Sequence, residues 1–129
     1  MRTRLFVSAT LLGVVAAASV RAQPQPYSGN ADYQVYCSSC HGADARGDGV
    51  IAKSLRQKPT DLTQLARRSN GQFPDERVFK AIDGRSSDSH RDMPAWADVF
   101  AKAAESAGPD NAAARIDVLV KYLQTLQVK

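Results

Sequence analysis

The apolar and polar positions of the chain fall into one uninterrupted apolar run followed by a series of helical stripes, with no βαβ pattern. The run, Leu5 to Val20, is sixteen residues without a charge; Arg2 and Arg4 precede it, and Val20-Arg21-Ala22 follows with small residues three and one before a cut. Residues 1–22 therefore read as a signal peptide cleaved after Ala22. The alternative is an uncleaved anchor, but the run is short of the ~20 residues that cross a bilayer. The Gln/Pro stretch behind it also suits an exposed mature terminus.

Past the leader the periodicity predicts five short helices. The first starts at Ser28 or Asn30 and reaches Cys40, with Tyr33, Tyr36, Cys37 and Cys40 at i, i+3, i+4 and i+7 on one face. Glycines and aspartates make 42–49 a loop with turns. Pro59 precedes a helix from Thr60 or Asp61 to Arg68, with Leu62 and Leu65 inward and Asn70-Gly71 as its stop. Asp75 is expected to cap a third helix that buries Val78, Phe79 and Ile82 and closes at Gly84. Pro94 is expected at the first position of a fourth, carrying Trp96, Val99, Phe100 and Ala103. Ala107-Gly108-Pro109 breaks the chain, and Asp110 caps a last helix striped by Ile116, Leu119, Val120, Leu123 and Leu126. Residues 23–129 form one all-α domain, thin in apolar core for its size, which a buried prosthetic group would complete.

Charge alters the picture only once the leader is set aside. The full chain carries +4, but Arg2, Arg4 and Arg21 leave with the leader, so the mature chain is close to neutral with 14 basic and 13 acidic residues. Neither nucleic acid nor a membrane surface is indicated, because no basic-aromatic arrangement supports either. A local asymmetry remains: Arg46, Lys53, Arg56, Lys58, Arg67 and Arg68 cluster, while acids gather at Asp83, Asp88, Asp92 and Asp98. Such a cluster is either a solvated face or a patch that steers a partner.

The chemistry centres on Cys37-Ser38-Ser39-Cys40-His41. Two cysteines three apart, with histidine directly after the second, have the spacing that attaches a c-type haem, each thiol adding across a vinyl group to form a thioether. One helical turn puts both sulfurs on the same face and lets His41 bring its ring beneath the iron. A thioredoxin-type dithiol, half a zinc site or a short disulfide are the other readings. The dithiol lacks its βαβ context, and a zinc site needs two further ligands where His41 and His90 are the only imidazoles.

Over residues 28–126 the sequence resembles the class I c-type cytochromes, small monohaem electron carriers. The resemblance rests on Cys37 to His41 followed by Gly42 and Gly47-Asp48-Gly49, on Lys58 to Thr63, on Ile82-Asp83-Gly84, and on Asp92-Met93-Pro94-Ala95-Trp96. It implies a cytochrome c-like bundle of about five helices around one covalently attached haem, with the terminal helices packed together. Gly29 and Tyr33 would meet Leu119 and Tyr122 of the last helix, and the Pro59 carbonyl would accept the Nδ1 proton of His41. Export to the periplasm suits such attachment, which in bacteria takes place outside the cytoplasm.

Met93 is the only thioether left after the leader is removed. It stands between a polar loop and Pro94, whose ring favours an extended conformation at Met93, so it is the expected sixth ligand to iron, with His90 as its rival. Where the family often has His-Gly shortly before Met-Pro, this chain has His90-Arg91. Trp96 would cover the haem or simply pack in the core. Iron with both axial positions filled by His41 and Met93 has no open site for substrate, and no acid, base or nucleophile constellation accompanies it, so the expectation is electron transfer without catalytic residues. The expected partners are a redox donor and acceptor, such as a terminal oxidase or a periplasmic dehydrogenase. The chain is expected to act as a monomer without stable membrane insertion, and a dedicated haem subunit of a dehydrogenase complex is the alternative.

Overall fold

The computed structural model describes residues 27–85, 92–103 and 111–128. The leader with its cleavage point, His90, Asp88, and the break and cap at 107–110 lie outside the described residues. The described residues are helical and without strands: α1 (Gly29–Tyr36), α2 (Ser38–His41), α3 (Asp75–Asp83), α4 (Trp96–Ala103) and α5 (Asn111–Thr125), with three 3-10 turns at Ala52–Ser54, Leu62–Gln64 and Arg67–Ser69. Among them no helix is long and apolar enough to cross a membrane.

Several element ends differ from expectation, each for a local reason. The first helix is interrupted at Cys37, which closes α1 and opens α2. The Ser38 hydroxyl donates to the Gln34 carbonyl at 2.6 Å, the back-bond to i−4 that bends helices. The segment expected as a helix over 60–68 is two 3-10 turns. Asp61 caps the first by accepting from the Thr63 amide, and the second stops at Asn70 in the left-handed region, as the Asn-Gly pair foretold. Asp75 is the first residue of α3, not its cap: the Pro74 carbonyl accepts from the Val78 amide, which makes Pro74 the cap. Asp75 and Glu76 instead place negative charge at the positive end of the helix dipole. Pro94 likewise stands outside α4, because the Ala95 carbonyl accepts the first bonds, from Asp98 and Val99. Gly84 closes α3 as expected.

The core sits where α5 meets α1, α3 and α4. Its largest fully buried side chains are Tyr33, Phe100, Ile116 and Leu119, joined by Val78, Ile82, Ala97, Val120 and Leu123. The expected stripe of α5 is thus the buried one, with Leu126 partly covered at its end. The terminal helices cross at closest approach where α1 has no side chain: a Cβ on Gly29 would stand 2.5 Å from the Val118 carbonyl oxygen and 2.6 Å from the Tyr122 Cβ. One turn on, the rings of Tyr33 and Tyr122 meet at a tilt, their centroids 5.6 Å apart. Tyr122 is the partner expected for Gly29 and Tyr33, whereas the backbone that meets Gly29 is that of Val118, one residue before the expected Leu119.

An ion pair that the periodicity did not reveal completes this junction. Arg115 of α5 grips Asp32 of α1 with two parallel bonds, Nε to Oδ2 at 2.7 Å and Nη2 to Oδ1 at 2.5 Å. The side chains are only 16% and 11% exposed. The guanidinium also lies over Phe100 at 4.5 Å and Tyr36 at 5.1 Å, a planar cation on aromatic faces. Removing one partner from such a pair leaves an uncompensated buried charge and costs about 3–5 kcal/mol, so the pair specifies the α1–α5 register more than it adds net stability.

Candidate haem site

The motif Cys37 to His41 occupies α2 and the residue before it, and the chain folds back to hold the end of that short helix. A four-residue helix leaves nearly all its carbonyls without intrahelical partners. Here the Ser39 carbonyl accepts from Ile51, that of Cys40 from Gly49 at 3.1 Å, and that of His41 from Gly47 at 2.7 Å. Gly49 must be glycine for this approach, since a Cβ there would stand 2.6 Å from the Cys40 carbonyl carbon. From the other side the buried Tyr33 hydroxyl donates to the Gly42 carbonyl at 2.7 Å, and the same burial raises its phenol pKa well above the usual value. The loop over 42–51 is thus a brace for the motif.

His41 Nδ1 lies 3.1 Å from the Thr60 carbonyl oxygen. A carbonyl can only accept, so the neutral ring carries its proton on Nδ1 and its lone pair on Nε2, the nitrogen suited to a metal. The expectation was the Pro59 carbonyl. In this extended stretch successive groups face opposite sides; the Pro59 carbonyl abuts Gly47, and the next one, at Thr60, faces the imidazole.

Cys37 and Cys40 are unbridged and half-buried. Burial, followed by the charges of Asp32 and Cys40, pushes the Cys37 thiol up to about 12. That is the reverse of the depressed pKa a redox dithiol needs. Among the described residues no three side chains of the His, Cys, Asp and Glu set converge as a metal site, so a zinc site has no such cluster there.

Two adjoining cavities open beside the motif. The larger, about 570 Å³, is walled by Tyr33, Leu62, Leu65, Val78, Ile82, Leu119 and Leu123. The smaller, about 80 Å³, is lined by Tyr36, Cys40, Pro59, Pro94 and Trp96. Both are bordered by the same four residues, Cys37, His41, Thr60 and Met93. The larger volume lies within the ~300–1,000 Å³ typical of cofactor sites, and its wall is mostly apolar. Trp96 packs in the core as one of its two expected roles has it, stacking on Phe100 at 5.9 Å and meeting Tyr36 edge-on at 5.6 Å, and it also lines the smaller cavity. Two thiols, an imidazole with a fixed tautomer and a thioether around an apolar cavity are a donor set that fits a c-type haem.

The structure brings Cys37, Cys40, His41 and Met93 to one cavity system; Thr60 at that site, and Asp32 and Arg115 at the neighbouring helix junction, were missed. Asp32 and Arg115 directly precede the buried Tyr33 and Ile116, and charges at the edge of two apolar stripes were the available signal. Thr60 acts through its backbone, which side-chain patterning does not register.

A family model described as cytochrome C oxidase, cbb3-type, subunit III matches residues 24–107. No curated protein and no solved structure matches the chain. The matched segment takes in the Cys37 to His41 motif, its brace, Thr60 and Met93 with α1 to α4, and α5, which packs on α1, follows it. The chain therefore belongs to this family of class I c-type cytochrome domains, which carry electrons on haem and exchange them with redox partners.

Proposed function

We propose that the chain is a periplasmic monohaem electron carrier, its haem attached through Cys37 and Cys40 and its iron ligated by His41 and Met93. The observation that carries this reading is the sharing of Cys37, His41 and Met93 between the two adjoining cavities. A c-type haem bound there supplies a one-electron Fe(III)/Fe(II) couple. The protein's part is to anchor, orient and exclude water. Thioether bonds at Cys37 and Cys40 would fix the group against a backbone already braced by Gly47, Gly49 and Ile51. The Thr60 carbonyl holds the proton on Nδ1 of His41 and makes Nε2 the better donor. The Met93 thioether, soft and neutral, favours the reduced metal, and the apolar wall of Leu62, Leu65, Ile82 and Leu119 disfavours the extra charge of the oxidised one. With His41 and Met93 both holding the iron, no position would remain for a substrate, so the reading is electron transfer without catalytic residues.

The family's description after an oxidase subunit favours a second reading, a haem subunit fixed to a larger redox assembly. Isolation from the periplasm separates the two: a carrier is recovered alone, a subunit with a stable partner. Denaturing mass spectrometry tests the central claim. The expected species begins at Gln23 and carries one haem, whereas an apo-chain with a Cys37–Cys40 disulfide would overturn it.

A further inference from the structure

The acceptor for His41 sits on a segment with little regular structure, and that segment is held from both sides. On one side the Leu62 amide donates to the Ala45 carbonyl at 2.8 Å, and Asp61 Oδ1 accepts from both the amide and the hydroxyl of Thr63. On the other lies the end of the chain just past α5. The Gln127 side chain donates from Nε2 to the Leu62 carbonyl at 2.8 Å and to the Leu123 carbonyl at 2.7 Å, and its Oε1 accepts from the Ala66 amide at 2.9 Å. The Val128 amide adds a bond to the Thr63 carbonyl at 3.0 Å. Gln127 thus uses both amide protons and its oxygen, and it joins the last turn of α5 to the segment two residues beyond Thr60.

We propose that Gln127 is a positioning residue for the iron-ligating imidazole: its amide clasps the 62–66 segment to α5 and thereby fixes the Thr60 carbonyl that accepts the His41 Nδ1 proton. The inference rests on the reading of His41 as an iron ligand. Leu62 is held at its amide by Ala45 and at its carbonyl by Gln127, so losing the Gln127 bonds at Leu62 and Ala66 unties the segment from α5 and lets the stretch that carries the Thr60 carbonyl shift. The Nδ1 bond then lengthens, the imidazole becomes a weaker donor, and the oxidised metal loses stabilisation. Removing a group that hydrogen-bonds a metal-bound histidine directly costs ten-fold or more in such sites; Gln127 acts one step further out, so its effect is smaller and opposite in sign to that of losing Met93.

The test uses the haem-loaded protein and compares Gln127→Met, Gln127→Glu and Leu126→Ala. Gln127→Met keeps the bulk and loses all three bonds, Gln127→Glu keeps the acceptor and sets a carboxylate against two carbonyls, and Leu126→Ala removes packing in the same tail while leaving the clasp. The measurements are reduction potential, exchange of the His41 Nδ1 proton by NMR in the reduced state, and Tm. Gln127→Met is expected to raise the potential and speed Nδ1 exchange several-fold; Gln127→Glu is expected to speed exchange likewise, while its added negative charge opposes the rise in potential. Leu126→Ala is expected to lower Tm with potential and exchange unchanged. Wild-type potential and exchange in Gln127→Met, or equal shifts in Leu126→Ala, would show that the tail contributes only stability and overturn the proposal. A wild-type oxidised protein without paramagnetically shifted His41 ring signals would overturn the ligand reading instead.

Discussion

At the scale of single residues the site is built from two side chains of opposite legibility. His41 is readable because covalent spacing is a local property: two thiols and an imidazole within five residues need no tertiary information to be recognised. Met93 is readable only by its setting before Pro94 and by being the last thioether left. Its place at both cavities is a consequence of how α3 and α4 pack, with Gly84 against Ala95. If Met93 ligates the iron, Met93→Ala should open an exchangeable position. Carbon monoxide would then bind the reduced protein, the weak long-wavelength sulfur-to-iron band would vanish, and the potential would fall, within the roughly 0.8 V span that axial ligands command. If His90 holds that position, Met93→Ala leaves the spectrum unchanged and His90→Ala alters it. The Thr60 carbonyl shows where such reading ends. Which of two successive carbonyls faces the imidazole is set by the path of the backbone, which composition does not encode.

At the scale of elements, the facing of the stripes and the stops at Asn70 and Gly84 were legible, while the starts and the 3-10 character of 62–69 were not. The stripes of α3 and α5 bury the residues their period marks, because a 3.6-residue repeat commits a whole face at once. Ends depend on which carbonyl first accepts a bond: Pro74 took that role from Asp75, and at Ala95 it falls beyond Pro94, which was expected inside the helix. The junction of α1 with α5 combines what was visible and what was not. Gly29 marks the close approach by offset, but the Asp32–Arg115 pair joins residues 83 positions apart and needed the fold to be seen. The approach at Gly29 has a measurable cost. A methyl group there meets backbone at Val118 and the first side-chain carbon of Tyr122, neither of which can swing aside, so α1 or α5 must shift. Gly29→Ala is expected to destabilise the folded protein by about 1–3 kcal/mol, the usual penalty of overpacking, which chemical denaturation would read as a lower midpoint. An unchanged midpoint would mean that the two helices are not in register as described. Since the junction lies a turn or more from Cys37, the haem spectrum of the variant should stay that of the wild type.

At the scale of the whole molecule, the distribution of unpaired charge is what distinguishes the surface. Four basic side chains are engaged: Arg77 with Ser69, Lys80 with Glu76, Arg85 with Asp83 and Arg115 with Asp32. Arg46, Lys53, Arg56, Lys58, Arg67 and Arg68 are all exposed and have no ion pair among the described residues. The expected acidic counterpart is partly spent, since Asp83 holds Arg85 and Asp92 accepts from the Gln57 amide. Lys58 borders the smaller cavity and Arg68 the larger, so the basic stretch reaches both sides of the motif. Within it Val50 stands 91% exposed, on the loop whose Gly49 and Ile51 bond the Cys40 and Ser39 carbonyls. A transient electron-transfer contact is small, under ~1,200 Å², so a few charges around an apolar centre can orient it even when net charge is close to zero. Reversing Arg56, Arg67 and Arg68 to glutamate should then slow electron transfer to the native partner on the order of ten-fold at low salt. The difference should shrink once added salt brings the Debye length below about 10 Å. Stopped-flow rates against ionic strength measure both effects. A second-order rate indifferent to the reversals and to salt would assign docking to the apolar centre around Val50 and leave the basic stretch as solvated surface.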